Sequence, residues 1–95
     1  MKIVVQLYKM KTVDEYIDYI YRKYRNKIKS VKKMRREIEL INGDFIKLAS
    51  TNGKYNDGLR ADVAIGPDAE IITCCSTYKK RVWDFEDLEE HLSKI

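Results

Sequence analysis

The sequence predicts a small α/β or α+β domain: a single sheet of about five strands with two helices packed on it, in the order β-α-β-β-β-β-α. Three observations predict it. At 95 residues the chain has room for one hydrophobic core and not two, so residues 1–95 form a single domain. One long stretch carries apolar residues at the period of a helix, and the stretches around it are short and β-branched or alternating, as strands are. Hydrophobic residues at 44% exclude a disordered chain, while a mean hydropathy of −0.52 excludes an integral membrane protein.

Residues 2–8 open the chain as a strand, and the contiguous Ile3, Val4 and Val5 place it centrally, buried on both faces. Thr12 and Glu15 have the spacing of a capping box, so a helix is expected to start there. Val13, Ile17, Ile20, Tyr24, Ile28 and Val31 then recur at steps of three and four, an amphipathic helix of about five turns. Residues 34–41 and 44–50 alternate around Asn42-Gly43 and predict a β-hairpin. A two-residue turn would set Glu39 against Ile46 and mix apolar and charged groups on one face. A three-residue loop restores agreement, for instance with Leu40 opposite Ile46, Ile38 opposite Leu48 and Glu39 facing Lys47. The extra residue can fall on either side of Asn42-Gly43.

Residues 51–60, with two glycines and two asparagines, read as the longest loop and the most mobile segment. Residues 61–65 and 70–76 read as two further strands separated by a turn in which Pro67 fixes φ. Asp84 can cap a last helix with Phe85, Leu88, Leu92 and Ile95 on one face. Glu86 and Asp87 in its first turn and Lys94 in its last complement the helix dipole.

The formal charge of +4 conceals a strong polarity. Nine basic residues and no acid lie between positions 22 and 36: Arg22, Lys23, Arg25, Lys27, Lys29, Lys32, Lys33, Arg35 and Arg36. That stretch carries +9, and the other eighty residues net −5. Like charges at i,i+4 destabilise a helix by a few tenths of a kcal/mol each, a cost that a merely solubilising surface avoids by mixing signs. The cluster is therefore expected to track phosphates of a nucleic acid or another polyanion, with Tyr16, Tyr19, Tyr21 and Tyr24 as stacking groups; a solvated helix face is the plain alternative. The opposite pole is acidic: Asp84, Glu86, Asp87, Glu89 and Glu90 could dock on a basic partner protein, although acids in a first helical turn serve capping first.

Catalytic candidates are few. Cys74 and Cys75 are adjacent, a spacing that gives no disulfide framework and reads as two buried thiols in a strand of a protein from a reducing compartment. His91 is the only histidine, a rim residue more readily than a base; a Cys75/His91 dyad and an Asp68/Glu70 pair are the remaining enzymatic options. No spacing suits a metal, no cofactor motif occurs, and neither a membrane span nor a signal-peptide pattern is legible, so a cytoplasmic protein without cofactor or metal is expected.

The run Arg36-Glu37-Ile38-Glu39-Leu40-Ile41-Asn42-Gly43-Asp44-Phe45-Ile46-Lys47-Leu48-Ala49-Ser50, followed by Gly58-Leu59-Arg60-Ala61-Asp62-Val63-Ala64-Ile65, resembles the ATPase core of phage large terminase subunits. In that family a hairpin with Asn-Gly at its tip precedes a loop ending in Gly-Leu-Arg and then the apolar Walker B strand. The pattern could extend over residues 1–77. Two departures matter: no phosphate-binding loop occurs, and the acidic pair expected directly after Ile65 is replaced by Gly66-Pro67-Asp68-Ala69-Glu70, with Asp68 and Glu70 displaced and separated. The resemblance thus implies a reduced, non-hydrolysing relative, phage-encoded and acting in the cytoplasm of a bacterial host. Two functions are expected on these grounds. The first is a non-catalytic module binding nucleic acid or another polyanion through residues 22–36. The second is a protein-interaction factor, such as an inhibitor of a host defence machine, acting through the acidic C-terminal helix or the 51–60 loop.

Overall fold

A computed structural model describes residues 1–51, 60–74 and 76–95. Along the chain run β1 (Lys2–Leu7), α1 (Met10–Lys23), a 3₁₀ turn (Arg25–Lys27), β2 (Ile28–Lys32), β3 (Glu37–Leu40), β4 (Phe45–Ser50), β5 (Val63–Ile65), α2 (Ala69–Ile72) and α3 (Phe85–Ser93). The five strands make one mixed sheet in the order β2-β3-β4-β1-β5. β1 runs parallel to both neighbours, whereas β2, β3 and β4 form an antiparallel meander. The fold class is the expected one. Ile3, Val4 and Val5 have no solvent exposure, because β1 is flanked by strands and covered on both faces.

Alternation along the strands separates the two faces. Ile3, Val5, Ile38, Leu40, Ile46 and Leu48 join Val13, Ile17 and Ile20 of α1 and Leu88 and Leu92 of α3 in the main core. On the other face α2 covers Val4 and Ala64 through Ala69 and Ile72, with the half-buried Ala61 packed against them. Among the described residues, no helix is long and apolar enough to cross a membrane.

Four details differ from expectation. First, α1 starts at Met10 with Lys9 as its N-cap and no side-chain cap. The Lys9 carbonyl already accepts from the Val13 amide, so Glu15 lies inside the helix and leaves Thr12 no unpaired amide three residues on. Second, α1 ends at Lys23, and Ile28 and Val31 belong to β2. Three residues apart, they should face opposite sides of a strand. A register shift between Ile28 and Ser30 brings both to one side, with Ile28 opposite Leu40 and Val31 opposite Ile38. The bulge lets helix-like spacing serve a strand, and it spares the chain a helix studded with like charges.

Third, the hairpin loop has three residues, Ile41 to Gly43, but the pairing is Glu37 with Lys47, Ile38 with Ile46 and Glu39 with Phe45. This register places the extra loop residue, Ile41, before Asn42, one of the two sides left open, and preserves every face; it lies two residues from the pairing given as the instance. It sets Leu40 opposite Asp44, whose carbonyl accepts from the Leu40 amide at 2.8 Å. Gly43 takes φ +94°, a conformation suited to glycine. Asp44 itself is buried: its carboxylate meets the Met1 ammonium at 3.0 Å, His91 Nε2 at 2.7 Å and Asn42 Nδ2 at 3.0 Å. Burial alone would push its pKa up, but these hydrogen bonds prevail and hold it below the usual carboxylate value.

Fourth, the expected strand over 70–76 is replaced by the single-turn helix α2. The outer side of β5 is already occupied, since Ala64 bridges Val82 and exchanges backbone bonds with Arg81 and Trp83 at 2.9 Å each. Cys74 is consequently exposed after α2, not buried in a strand, with Arg60 Nη1 3.9 Å from its Sγ. The expectations for the centre of the 51–60 loop and for Cys75, including the Cys75/His91 dyad, lie outside the described residues.

Candidate nucleic-acid interface

The nine basic residues fall on four consecutive pieces of structure. Arg22 and Lys23 close α1, Arg25 and Lys27 sit in the 3₁₀ turn, Lys29 and Lys32 in β2, and Lys33, Arg35 and Arg36 in the turn to β3. Because β2 is an edge strand, Lys29, Lys32 and the turn that follows them lie along one border of the sheet, and the end of α1 and the 3₁₀ turn lead into it. The bulk of the cluster is thus not one helical face but a rim built from a helix end, a turn, a strand and a hairpin tip.

Four of the nine stand against an acid. Lys23 Nζ lies 2.7 Å from Glu89, Lys29 Nζ 3.7 Å from Glu39, Lys33 Nζ 3.8 Å from Asp18, and Arg36 Nε 3.3 Å from Asp14. The last two pairs tie the hairpin tip to α1. Arg36 adopts φ +52°, one of the sharp bends that close this turn. Lys27 is held by the Ile95 carbonyl, and Arg22 Nε donates to the Asp18 carbonyl at 3.3 Å. Arg22, Arg25, Lys27, Lys32 and Arg35 form no ion pair among the described residues. Lysines on an edge strand also hinder pairing with another sheet, a structural use for Lys29 and Lys32 that the sequence pattern did not disclose.

Between α1 and β2 runs a groove of about 530 Å³. Ile17, Ile28 and Val31 supply its apolar lining, Arg25, Lys29 and Lys33 its cations, and Asp18 its one acid. Tyr21 also lines it, 42% exposed, with the Arg25 guanidinium 5.8 Å from the ring centroid. A second hollow of about 500 Å³ shares Ile17, Asp18 and Lys33 and is completed by Asp14, Met34 and Arg36. Met34, at the hairpin tip, is 95% exposed.

The four tyrosines separate into two groups. Tyr19 Oη and Tyr24 Oη donate to the Glu89 carboxylate at 2.7 and 2.9 Å, alongside Lys23. The hydrogen bonds from Lys23, Tyr19 and Tyr24 pull the Glu89 pKa down to about 2, while Glu89 in turn raises that of Lys23. Tyr16 packs against Tyr19 and edge-on to Phe85 at 5.2 Å, and burial, then the Glu89 charge, pushes its hydroxyl pKa up. Tyr16, Tyr19 and Tyr24 therefore fasten α3 to α1, whereas Tyr21 faces the basic groove.

The acidic residues of α3 are largely engaged in the fold. Asp84 and Asp87 form a reciprocal capping box, Asp87 also binds Lys80 at 2.9 Å, and Glu90 pairs with Lys94 at 2.9 Å. Glu89 faces α1, and Glu86 lies in the first turn. His91 bridges α3 to Asp44 of the hairpin, its ring 5.4 Å from that of Trp83. Asp68 contacts Gln6 across the β5–α2 turn, its amide donating to Gln6 Oε1 at 2.9 Å, and Glu70 sits in α2. Among the described residues no group of three or more His, Cys, Asp or Glu side chains could hold a metal. No family model, curated protein or solved structure matches this chain.

Proposed function

We propose that this protein is a non-catalytic module that binds nucleic acid through the basic border formed by residues 22–36. The observation that carries the reading is that nine cations run over four consecutive elements at and beside an edge strand, and that Arg25, Lys29 and Lys33 among them line a groove. Five of them lack an acidic partner among the described residues. Such a surface suits a chain of phosphates: the cations are spread over several elements, as a strand of backbone needs, and held in place by the apolar core beneath. The missing phosphate-binding loop argues against nucleotide turnover. The alternative, a protein-docking acidic helix, has less material, because Glu89 and Asp87 are spent on internal contacts.

The experiment is a fluorescence-anisotropy titration of a labelled oligonucleotide with the wild type and with Lys32→Gln/Arg35→Gln. Neither side chain forms an ion pair among the described residues, so the fold should tolerate the change. Losing two phosphate contacts should weaken binding for every sequence tested and reduce the log–log salt slope by about 1.4 on a single strand or about 1.8 on a duplex. Glu86→Gln/Glu90→Gln should leave binding undiminished. Equal affinity for the Lys32→Gln/Arg35→Gln variant and the wild type would refute the assignment of this border.

A further inference from the structure

Resting on that reading, we infer that the bound nucleic acid is single-stranded and that one base stacks on Tyr21 in the groove between α1 and β2. A smooth phosphate-binding surface needs only cations. This one places an exposed aromatic ring and an apolar lining (Ile17, Ile28, Val31) beside them, in a groove of about 530 Å³. Duplex bases are stacked on one another and offer a side chain no open face, whereas an unpaired base presents its ring to an aromatic platform while its phosphates meet flanking cations. Tyr19 and Tyr24 are occupied in the Glu89 clasp and Tyr16 is packed against Tyr19 and Phe85, so the ring available to the groove is that of Tyr21. Arg25 lies over one face of the ring, 5.8 Å from its centroid, which leaves the other face for a base, and Lys29 and Lys33 line the same groove. Asp18 holds Lys33 at 3.8 Å, and a phosphate would replace its carboxylate there.

The test compares a labelled oligothymidine single strand with a duplex of equal phosphate count, using wild type, Tyr21→Phe, Tyr21→Ala and Tyr21→Leu. Circular dichroism and thermal melting check that each variant folds; Tyr21→Phe and Tyr21→Leu keep most of the packing volume should Tyr21→Ala fail. Stacking of one base predicts that Tyr21→Ala and Tyr21→Leu lose about five- to a hundredfold in single-strand affinity. Their salt slope and duplex affinity should not change, and Tyr21→Phe should bind like the wild type. A 5-iodouracil strand should also cross-link to Tyr21 under ultraviolet light. Salt-sensitive binding that ignores every Tyr21 substitution would overturn the stacking while leaving the nucleic-acid reading standing. No binding to either oligonucleotide at low salt would overturn both. Displacement of the single strand by an equal charge of polyglutamate would also overturn the inference, in favour of an acidic peptide.

Discussion

Glu89 shows most clearly how one side chain organises its surroundings. From α3 it accepts hydrogen bonds from Lys23, Tyr19 and Tyr24, and these hold its pKa near 2 against an ordinary 4.5. A depressed carboxylate pKa contributes stability that is present above the unfolded value and lost as pH falls through the folded one. The Glu89 contribution should therefore be intact above about pH 4.5 and disappear progressively towards about pH 2. Glu89→Gln should destabilise the fold by about 1–2 kcal/mol at neutral pH, and urea unfolding should show a weaker loss of stability across that acid window than in the wild type. An unchanged pH profile would mean that the clasp contributes little. None of this was legible in the sequence, where Glu89 read as one of five outward acids. Residues 65 to 70 positions apart meet only once the fold exists. Tyr21 carries the same lesson in reverse: its spacing placed it among four candidate stacking residues, and only packing distinguished it from the other three.

At the level of elements, the segments with strong local chemistry were readable. Asp84 capping α3, the three-residue loop around Asn42-Gly43 and the doubly buried β1 follow from short-range patterns. The helix after β1 was over-extended because Ile28 and Val31 continue its period, and a bulge that reconciles such spacing with a strand has no signature of its own. Ala69–Ile72 form α2 where the apolar run at 70–76 predicts a strand, since β5 finds its outer partner at Val82. Two glycines test this level. Gly43 has φ +94° with open space around it, so Gly43→Ala should cost about 1 kcal/mol from backbone conformation alone. Gly66 has φ +126°, and an added Cβ would lie 2.6 Å from Gln6 Cβ and 2.9 Å from the Gln6 carbonyl. Gly66→Ala must therefore move the buried strand β1 as well, and should cost at least about 2 kcal/mol more than Gly43→Ala in chemical denaturation. Equal effects would mean that the β5–α2 turn yields without disturbing β1.

Across the whole molecule, the charge polarity seen in the sequence becomes a spatial one, with modifications that only the fold supplies. Asp14 and Asp18 from α1, Glu39 from β3 and Glu89 from α3 reach the basic stretch and neutralise four of its nine cations. The remaining charge follows the edge of the sheet. If five cations each engage one phosphate, the log–log salt slope of binding should be about −3.5 for a single strand or about −4.5 for a duplex. The measurement that tests the nucleic-acid assignment most directly is therefore the affinity of the unmodified protein for a labelled oligonucleotide from about 50 to about 200 mM salt, over which it should fall roughly 10²- to 10³-fold. A slope near zero, or no complex at the lowest salt, would contradict it.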